Sequence, residues 1–439
     1  MSVTIIGAGL AGCEAAWQLA SRGIQVELFE MKPLKKTPAQ QLPTMAELVC
    51  SNSLRSDRLT NAVGLLKAEM RKLGSLIMKA ADDNAVPAGG ALAVDRESFS
   101  AAVDTAIRTH PLIHVHAEEM VEIPTQGAVI IATGPLTSDG LSDAISKLHG
   151  LSTLHFYDAA APIVTADSLN MDKVFRMSRY ERGEDYLNCP MNQEEYLHFV
   201  HELQTAETVA VHGFEEKAVF EGCMPIESMA KRGDMSIAFG PLKPVGLVDP
   251  RTGREPFAVV QLRCDNFAAS LYNIVGFQTR LTYPEQRRVF SMIPGLENAE
   301  FARLGVMHRN TFLNSPDFLD DTYRVISNEH LYFAGQITGV EGYVESAASG
   351  LLVGLTLAYR ERGLTPPHFS GQTAIGAMSR YVSTPNKRFQ PMNCAFGLMD
   401  AWEVPQGQKR IRNKVQRYEL IAERALAEID TVFRHMEQT

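Results

Sequence analysis

Near its start, the chain carries an apolar run that enters a glycine-rich turn, Val3-Thr4-Ile5-Ile6-Gly7-Ala8-Gly9-Leu10-Ala11-Gly12. A helix-like stretch follows at residues 13–21, and a second apolar run at 24–29 ends on an acid, Glu30. Strand, G-x-G-x-x-G turn, helix, strand and acidic tip form the known signature of a dinucleotide site. The alternative is a glycine-rich turn in an unrelated α/β domain.

Each glycine of this signature has a mechanical role. Gly7 permits the tight turn, Gly9 lets the backbone approach a pyrophosphate, and Gly12 lets the helix pack against the strand. The helix N-terminus directs unpaired N–H groups towards the phosphates. Glu30 lies eighteen residues after Gly12, where an acid would accept hydrogen bonds from the adenosine ribose. The predicted cofactor contacts of this region are therefore Gly7, Ala8, Gly9, Leu10, Ala11, Gly12 and Glu30.

Two further strand ends are rich in small residues. The apolar run at 127–135 is typical of a buried parallel strand and ends in Ala-Thr-Gly. Another run at 331–343 ends in a glycine-rich turn that precedes a helix with small residues. Three such strand ends favour FAD over NAD. The sequence has no second G-x-G-x-x-G motif, so we expect no dedicated nicotinamide domain. The predicted FAD contacts in these two stretches are Gly134, Gly335, Gln336, Gly342 and Tyr343.

Length and composition limit the protein class. A chain of 439 residues predicts two or three domains. No apolar run reaches the roughly 20 residues needed to span a bilayer, and the first residues enter a strand, so we expect a cytoplasmic protein without a membrane partner. The six cysteines contain no C-x-x-C pair, which argues against zinc and against a disulfide framework, and no metal site is expected. A monomer is the expected assembly.

The charge pattern gives two opposing signals about nucleic acid. The net charge of −9 weighs against such a partner. A local stretch at 409–417, however, contains five basic residues and no acid: Lys409, Arg410, Arg412, Lys414 and Arg417. This stretch is either an RNA contact or a solvated helix face.

The order of elements predicts an α/β protein with an FAD-binding Rossmann-like, glutathione-reductase-like fold and a mixed α+β insertion. We expect the first part of the FAD-binding domain at 1–154, the insertion or substrate domain at 155–300, and the second part of the FAD-binding domain with a C-terminal helix at 301–439. Hydrophobic spacing predicts one helix over 61–82 and a tail helix over 407–436. Alternation predicts paired strands at 113–117 and 120–123.

Two cysteines, Cys50 and Cys223, lie in turn-like contexts beside small or polar residues. A free cysteine is usually a small buried hydrophobe. A thiolate, however, is the nucleophile that alkylation of a pyrimidine at carbon 5 requires, because attack at carbon 6 makes carbon 5 enolate-like. A second thiol would act as acid, base or partner.

Two more features are candidates for ligand binding. The run His308-Arg309-Asn310 would stack on or pair with a planar anionic ligand, or it is a surface turn. Glu341 would hold an amine-bearing ring, or it is a plain acid in the first turn of a helix.

Nine motifs are spread over nearly the whole chain: G-A-G-L-A-G at 7–12, E-L-V-C-S-N-S-L-R-S at 47–56, P-A-G-G-A-L-A-V-D-R at 87–96, A-T-G-P-L-T-S at 132–138, Y-L-N-C-P-M at 186–191, E-G-C-M-P-I-E at 221–227, G-P-L-K-P-V-G-L at 240–247, G-V-M-H-R-N-T at 305–311 and A-G-Q-I-T-G-V-E-G-Y-V-E-S-A-A-S-G at 334–350. With these motifs, the sequence resembles the TrmFO family of folate- and FAD-dependent tRNA (uracil-5-)-methyltransferases. A more distant resemblance is to the larger GidA-type flavoproteins, which share the first and last motifs.

The resemblance implies a specific reaction. Carbon 5 of the T-loop uridine of tRNA would receive a one-carbon unit from 5,10-methylenetetrahydrofolate, with a hydride from reduced FAD and regeneration by NADPH or NADH. It implies Cys50 as the nucleophile and Cys223 as the second functional cysteine. The residues alone leave open the same chemistry on ribosomal RNA, a GidA-like modification of the wobble uridine, a small-molecule flavin oxidoreductase and a non-catalytic FAD-binding protein.

Overall fold

The protein is described by a computed structural model that covers residues 2–37, 39–148, 153–159, 161–181, 183–209, 224–305, 307–386, 389–403 and 411–438. For residues 153–159, 181 and 307–311, only the backbone is described.

The strands of these ranges, in chain order, are β1 (Ser2–Ile6), β2 (Gln25–Glu30), β3 (Ser53–Ser56), β4 (Ala85–Val86), β5 (Ala91–Val94), β6 (Ile113–Ala117), β7 (Val129–Ile131), β8 (Thr153–Ala159), β9 (Ile163–Thr165), β10 (Phe175–Arg176), β11 (Tyr186–Met191), β12 (Ala258–Cys264), β13 (Leu271–Ile274), β14 (Phe301–Arg303), β15 (Met307–Leu313) and β16 (Leu331–Phe333). The helices are α1 (Leu10–Ala20), α2 (Ala62–Lys72), α3 (Leu76–Asp83), α4 (Arg96–Thr109), α5 (Asp139–Ser146), α6 (Gln193–Thr205), α7 (Ile226–Ala230), α8 (Ser236–Phe239), α9 (Tyr283–Phe290), α10 (Tyr343–Glu361), α11 (Ala374–Ser383) and α12 (Lys414–Glu437).

A five-stranded parallel sheet, in the order β16-β7-β1-β2-β6, forms the centre of the first layer. The predicted strand at the start of the chain is its middle strand, and its apolar side chains are buried. Helices α1 and α10 pack closely because both offer small residues: a Cβ on Gly350 would lie 2.2 Å from the carbonyl oxygen of Ala11. This sheet confirms the predicted FAD-binding Rossmann-like class.

A six-stranded antiparallel sheet, in the order β10-β11-β12-β13-β9-β14, lies in the insertion. Most buried apolar side chains of residues 161–296 form one cluster, and most of those of residues 3–145 and 312–429 form another. Strands β8 and β15 pair with each other, and β3, β5 and β4 form a small third sheet. The predicted domain boundaries at 154/155 and 300/301 stay a prediction.

The prediction of one helix over 61–82 is wrong, because the chain breaks it into α2 and α3. Gly74 adopts a left-handed conformation with φ of 74°. Ser75 then starts the second helix, since its side chain accepts a hydrogen bond from the N–H of Met78. The apolar spacing continues across the break, so periodicity alone could not detect it.

The predicted strand pair at 113–123 is also wrong. Residues 113–117 form β6, but this strand pairs in parallel with β2, and residues 120–123 form no strand. The tail helix begins at Lys414 rather than at residue 407; residues 404–410, which include Lys409 and Arg410, lie outside the described residues. No helix of the described ranges combines the length and apolarity needed to cross a membrane.

Candidate active site

Backbone atoms are tightly packed in the glycine-rich turn that joins β1 to α1. Gly7 has a φ of 99°, and a Cβ on Gly12 would lie 1.8 Å from the carbonyl oxygen of Gly7. Gly9 is the N-cap of α1, and no side chain caps the helix there. A Cβ on Gly9 would meet no atom of the described residues within 4 Å, so Gly9 faces open space among them.

Glu30 is almost buried at the end of β2, with 7% of its surface exposed. One carboxylate oxygen accepts a hydrogen bond of 2.8 Å from the N–H of Ala8, and the other accepts one of 2.9 Å from the N–H of Lys32. Because a carboxylate oxygen has two lone pairs, both oxygens can accept a further hydrogen bond. The Ala8 contact ties the acid directly to the glycine turn.

A pocket opens in front of this turn and offers about 1020 Å³ of space, part of it open to solvent. The predicted residues that line it are Gly7, Gly9, Leu10, Ala11, Glu30, Gly134, Gln336, Gly335 and Tyr343. Of the other predicted contacts, Ala8 bonds Glu30, Gly12 packs under the turn, and Gly342 lies against Arg55 and Glu345. The positive end of a helix, an acid and an open glycine backbone suit a dinucleotide.

Other lining residues were not predicted from the sequence. They come from the loop after Glu30 and from the segment after β6, and include Met31, Thr37, Gln40, Glu118, Glu119 and Met120. The two prolines and three lysines at 31–38 indicate only a basic connecting loop, and nothing in this composition indicates that it borders a ligand pocket.

Tyr343 joins the pocket to the segment that carries Cys50. Its hydroxyl oxygen accepts hydrogen bonds from the N–H of Cys50 at 2.6 Å and from that of Ser51 at 3.2 Å. Burial and a negative charge at Cys50 raise the pKa of Tyr343, so the phenol stays neutral. The predicted cofactor residue Tyr343 and the predicted nucleophile Cys50 are therefore in direct contact.

Asn52 anchors the same segment to the insertion. It is fully buried, and its amide group donates hydrogen bonds of 3.0 Å to the carbonyl oxygens of Val94 and Cys264. The side-chain oxygen of Asn52 accepts a hydrogen bond of 3.0 Å from Arg263. Cys50 itself is partly exposed and leads into β3.

Some predicted site residues are described only by their backbone or lie outside the described residues. Cys223 lies outside the described residues. The run His308-Arg309-Asn310 forms part of β15, so the alternative of a surface turn is wrong; its side chains lie outside the described part. Strand β15 packs beside the turns at Gly134–Leu136 and Gln336–Thr338, which border the pocket.

Glu341 is 5% exposed, and its carboxylate accepts a hydrogen bond of 2.7 Å from the side chain of Gln336. It therefore lies beside a predicted cofactor residue. Among the described residues, no group of three or more His, Cys, Asp or Glu side chains is arranged to hold a metal ion.

Comparison with known proteins identifies the family. The family model of glucose inhibited division protein A matches residues 2–365. Curated relatives from Lactobacillus johnsonii and Geobacter sulfurreducens are each 58% identical and cover 98% of this chain, and 97% and 98% of the relatives. One from Enterococcus faecalis is 59% identical and covers 97% of both chains. All three are named methylenetetrahydrofolate--tRNA-(uracil-5-)-methyltransferase TrmFO.

The chain belongs to the TrmFO branch of the glucose inhibited division protein A family. The predicted resemblance to TrmFO is confirmed. Among solved structures, GidA of Aquifex aeolicus has a TM-score of 0.71 in one crystal form, with 16% identity over 98% of this chain and 73% of that chain. At this identity, the likeness shows that the TrmFO chain shares the GidA fold.

Proposed function

We propose that this chain methylates carbon 5 of a uridine in the T loop of tRNA, with 5,10-methylenetetrahydrofolate, FAD and NADPH or NADH. The observation that carries this proposal is the identity of 58–59% over 97–98% of the chain to relatives whose name states the reaction. Since tRNA is the proposed substrate, the proposed location is the cytoplasm.

The pocket at the glycine turn is the proposed FAD site. The first turn of α1 would hold the pyrophosphate, and Glu30 would accept hydrogen bonds from the ribose through its free lone pairs. Gly134, Gly335, Gln336 and Tyr343 line the remaining wall. When bound, the flavin supplies the hydride that completes the methyl group.

Cys50 is the proposed nucleophile. Its thiolate would form a bond to carbon 6 of the uracil, which makes carbon 5 nucleophilic, and the thiolate would leave at the end of the reaction. Tyr343 fixes the backbone of Cys50 through the hydrogen bond to its N–H. Cys223 is proposed as the second functional cysteine, which acts as an acid, a base or a thiol partner.

The substrates require two more contacts. The T-loop uridine is tucked inside folded tRNA, so it must be extruded to reach Cys50. His308, Arg309, Asn310 and Glu341 are proposed to hold the folate. The stretch 409–417 is proposed to contact RNA phosphates; Arg412 and Lys414 in its described part are exposed.

An assay for 5-methyluridine in unmodified tRNA and ribosomal RNA, run in parallel, tests the proposal. We expect product only in tRNA and only when methylenetetrahydrofolate is present. Product in ribosomal RNA alone would show that ribosomal RNA, and not tRNA, is the substrate. A yellow protein that makes no 5-methyluridine would favour a small-molecule flavin oxidoreductase.

The same assay tests the nucleophile. Cys50→Ala should keep the flavin absorbance and lose methyl transfer, whereas Cys189→Ala, which removes a buried thiol from the insertion sheet, should remain active. An active Cys50→Ala variant would exclude Cys50.

A further inference from the structure

A turn of the insertion, at residues 239–246, holds a large apolar side chain in solvent. Phe239, the last residue of α8, is 77% exposed, the highest value among the large apolar side chains of the described residues. Val245, in the same turn, and Val248, just after it, are exposed as well. One exposed apolar residue is ordinary, but an exposed ring beside further apolar side chains indicates a contact surface.

The core on both sides of the turn imposes this exposure. Before the turn, the hydroxyl of the fully buried Tyr196 donates a 2.6 Å hydrogen bond to the carbonyl oxygen of Asp234 and accepts one of 3.1 Å from the N–H of Ala238. After the exposed ring, Leu242 is fully buried, and its carbonyl oxygen accepts a 3.0 Å hydrogen bond from Val259 of β12. The turn is therefore fixed in place, and the ring is not exposed through looseness.

A second aromatic ring lies beside the turn. Tyr180 is 59% exposed, and its ring packs on Gly246, where a Cβ would lie 2.9 Å from the ring. The N–H of Tyr180 donates a 3.0 Å hydrogen bond to the carbonyl oxygen of Gly246, and Arg179 donates one of 2.8 Å to that of Val245. These contacts fix Tyr180 at a φ of 60°, which is rare for a bulky residue and typical of functional sites.

The charge around the turn is positive, although the whole chain carries −9. Residues 231–248 contain three basic residues and one acid: Lys231, Arg232, Lys243 and Asp234. The side chains of Lys231 and Lys243 are exposed and form no ion pair with any described residue. Glu255, which also borders the turn, accepts a 2.8 Å hydrogen bond from the N–H of Gly246. This surface suits an anionic partner.

The turn is linked through the insertion sheet to the wall of the proposed FAD pocket. Arg179, which binds the turn, also donates a 2.9 Å hydrogen bond to Gln261 of β12. Arg263 lies two residues further on the same face of this strand, about 7 Å away, and donates a 2.7 Å hydrogen bond to Ser51. Val49, two residues before Ser51, lines the pocket. The turn thus lies on the side of the insertion that contacts the pocket.

We propose that the turn at 239–246 and Tyr180 form a contact for unpaired nucleotides of the RNA substrate, in which Phe239 stacks on a base and Lys243 binds a phosphate. Unpaired bases expose their flat faces, which stack on aromatic side chains, and phosphates pair with cations. The inference rests on the proposed function, because it requires RNA as the substrate. It adds a second RNA contact to the one proposed at 409–417.

Binding of unmodified tRNA to the FAD-loaded enzyme, measured by fluorescence anisotropy over a salt series, tests this inference. Phe239→Leu keeps an apolar side chain but loses the ring, so it should weaken binding about tenfold. The slope of log affinity against log salt should stay as in the wild type, because stacking releases no counterions. Phe239→Tyr should bind like the wild type. Lys243→Gln should reduce the slope by about one.

Two further variants complete the test. Ile326→Ala removes a side chain that is 58% exposed in a turn of the first layer, and it should bind tRNA like the wild type. Tyr180→Asn removes the second ring and tolerates the left-handed backbone, so it should also weaken binding. Thermal melts should match the wild type for the variants at Phe239, because its side chain is exposed.

A Phe239→Leu variant with the tRNA affinity of the wild type would overturn the inference, and so would an equal loss in Phe239→Leu and Phe239→Tyr. A dimer that Phe239→Leu dissociates without a change in tRNA affinity would show that the turn joins two copies of the chain, and would also overturn it. A wild-type enzyme whose tRNA affinity depends on the ring, but which makes no 5-methyluridine, would instead overturn the proposed function and leave the RNA contact in place.

Discussion

Gly9 and Gly12 belong to the same turn but are required for different physical reasons. A Cβ on Gly12 would lie 1.8 Å from the carbonyl oxygen of Gly7, a distance that real atoms never adopt without backbone movement. A Cβ on Gly9 would meet none of the described atoms within 4 Å and would enter the pocket. Gly12 is therefore needed for folding, and Gly9 for the ligand.

Alanine substitutions should separate these two roles. Gly12→Ala should lower the stability of the protein by about 2 kcal/mol or more, because overpacking forces the backbone to shift. Gly9→Ala should keep the melting temperature of the ligand-free protein but weaken FAD binding at least about tenfold, because its Cβ blocks the approach of the pyrophosphate. Thermal melts and flavin titration measure both effects; equal FAD affinity in Gly9→Ala and wild type would contradict the role assigned to the turn.

Residues that act locally could be predicted from the sequence, whereas those that act across the fold could not. Gly7, Gly12 and Glu30 belong to one continuous signature with fixed spacing, so their positions followed from the pattern. Arg263 and Arg303 reach the Cys50 segment from strands more than 200 residues away. No spacing rule links them to Cys50, because only the packing of the insertion brings them together.

At the level of elements, the start of α11 depends on a carboxylate from another helix. Glu69 of α2 is fully buried and accepts hydrogen bonds of 2.7 and 2.9 Å from the N–H groups of Ala374 and Ile375. Burial raises the pKa of Glu69 from its ordinary 4.5 to about 8. The folded state therefore binds this proton more tightly than the unfolded state does.

This raised pKa predicts a sign for the pH dependence of stability. The contribution of protonated Glu69 is fully present below about pH 4.5 and is lost as the pH rises through about 8. The Gln side chain has one acceptor oxygen for the two N–H groups, so Glu69→Gln should be less stable than the wild type by about 1 kcal/mol near pH 5. Because Gln cannot ionise, the variant does not lose stability as the pH rises. The difference should shrink or reverse by pH 8.5. Thermal melts from pH 5 to 8.5 measure it.

The exposed Glu419 provides a control, since Glu419→Gln should show a constant difference across this range. A Glu69→Gln variant whose difference also stays constant would show that Glu69 is ionised in the folded protein throughout.

The elements themselves were predicted where a local cap or apolar run defined them. Asp95 directly precedes the helical stretch, a position where an acid favours a helix start, and its side chain accepts a hydrogen bond from the N–H of Ser98 in α4. The break at Gly74 was missed because apolar spacing continues through it. Burial of Ser75 explains the break: its hydroxyl donates a 2.6 Å hydrogen bond to Glu14, so the new helix start is held by α1.

In the whole molecule, Asn52 connects the small sheet of β3, β5 and β4 to the insertion sheet. Its hydrogen bonds reach β5 through Val94 and the insertion sheet through Cys264 and Arg263. Because Asn52 is fully buried, its partners cannot replace these hydrogen bonds with hydrogen bonds to water. The amide side chain of Asn52 is thus one of the groups that fix the position of the insertion relative to Cys50.

Asn52→Ala should lower stability by about 2–4 kcal/mol, because it leaves buried polar groups unpaired. It should also lower methyl transfer at least about tenfold, since misplacement of reacting groups is costly. Asn188→Ala is the matched control: Asn188 is equally buried but bonds only within the insertion sheet, to Phe175, Met177 and Gln261 among its neighbours. It should lose stability and keep most of its activity below its melting temperature. Equal losses of activity in both variants would contradict the role of Asn52.

The origin of the transferred carbon tests the account of the whole molecule most directly. The FAD-loaded enzyme is incubated with unmodified tRNA, NADPH and methylenetetrahydrofolate that carries ¹³C in its methylene group, and the nucleosides are analysed by mass spectrometry. A parallel reaction supplies methyl-labelled S-adenosylmethionine instead. We predict that 5-methyluridine carries the label from the folate and none from S-adenosylmethionine. Unlabelled 5-methyluridine in the folate reaction, or label from S-adenosylmethionine, would contradict the account.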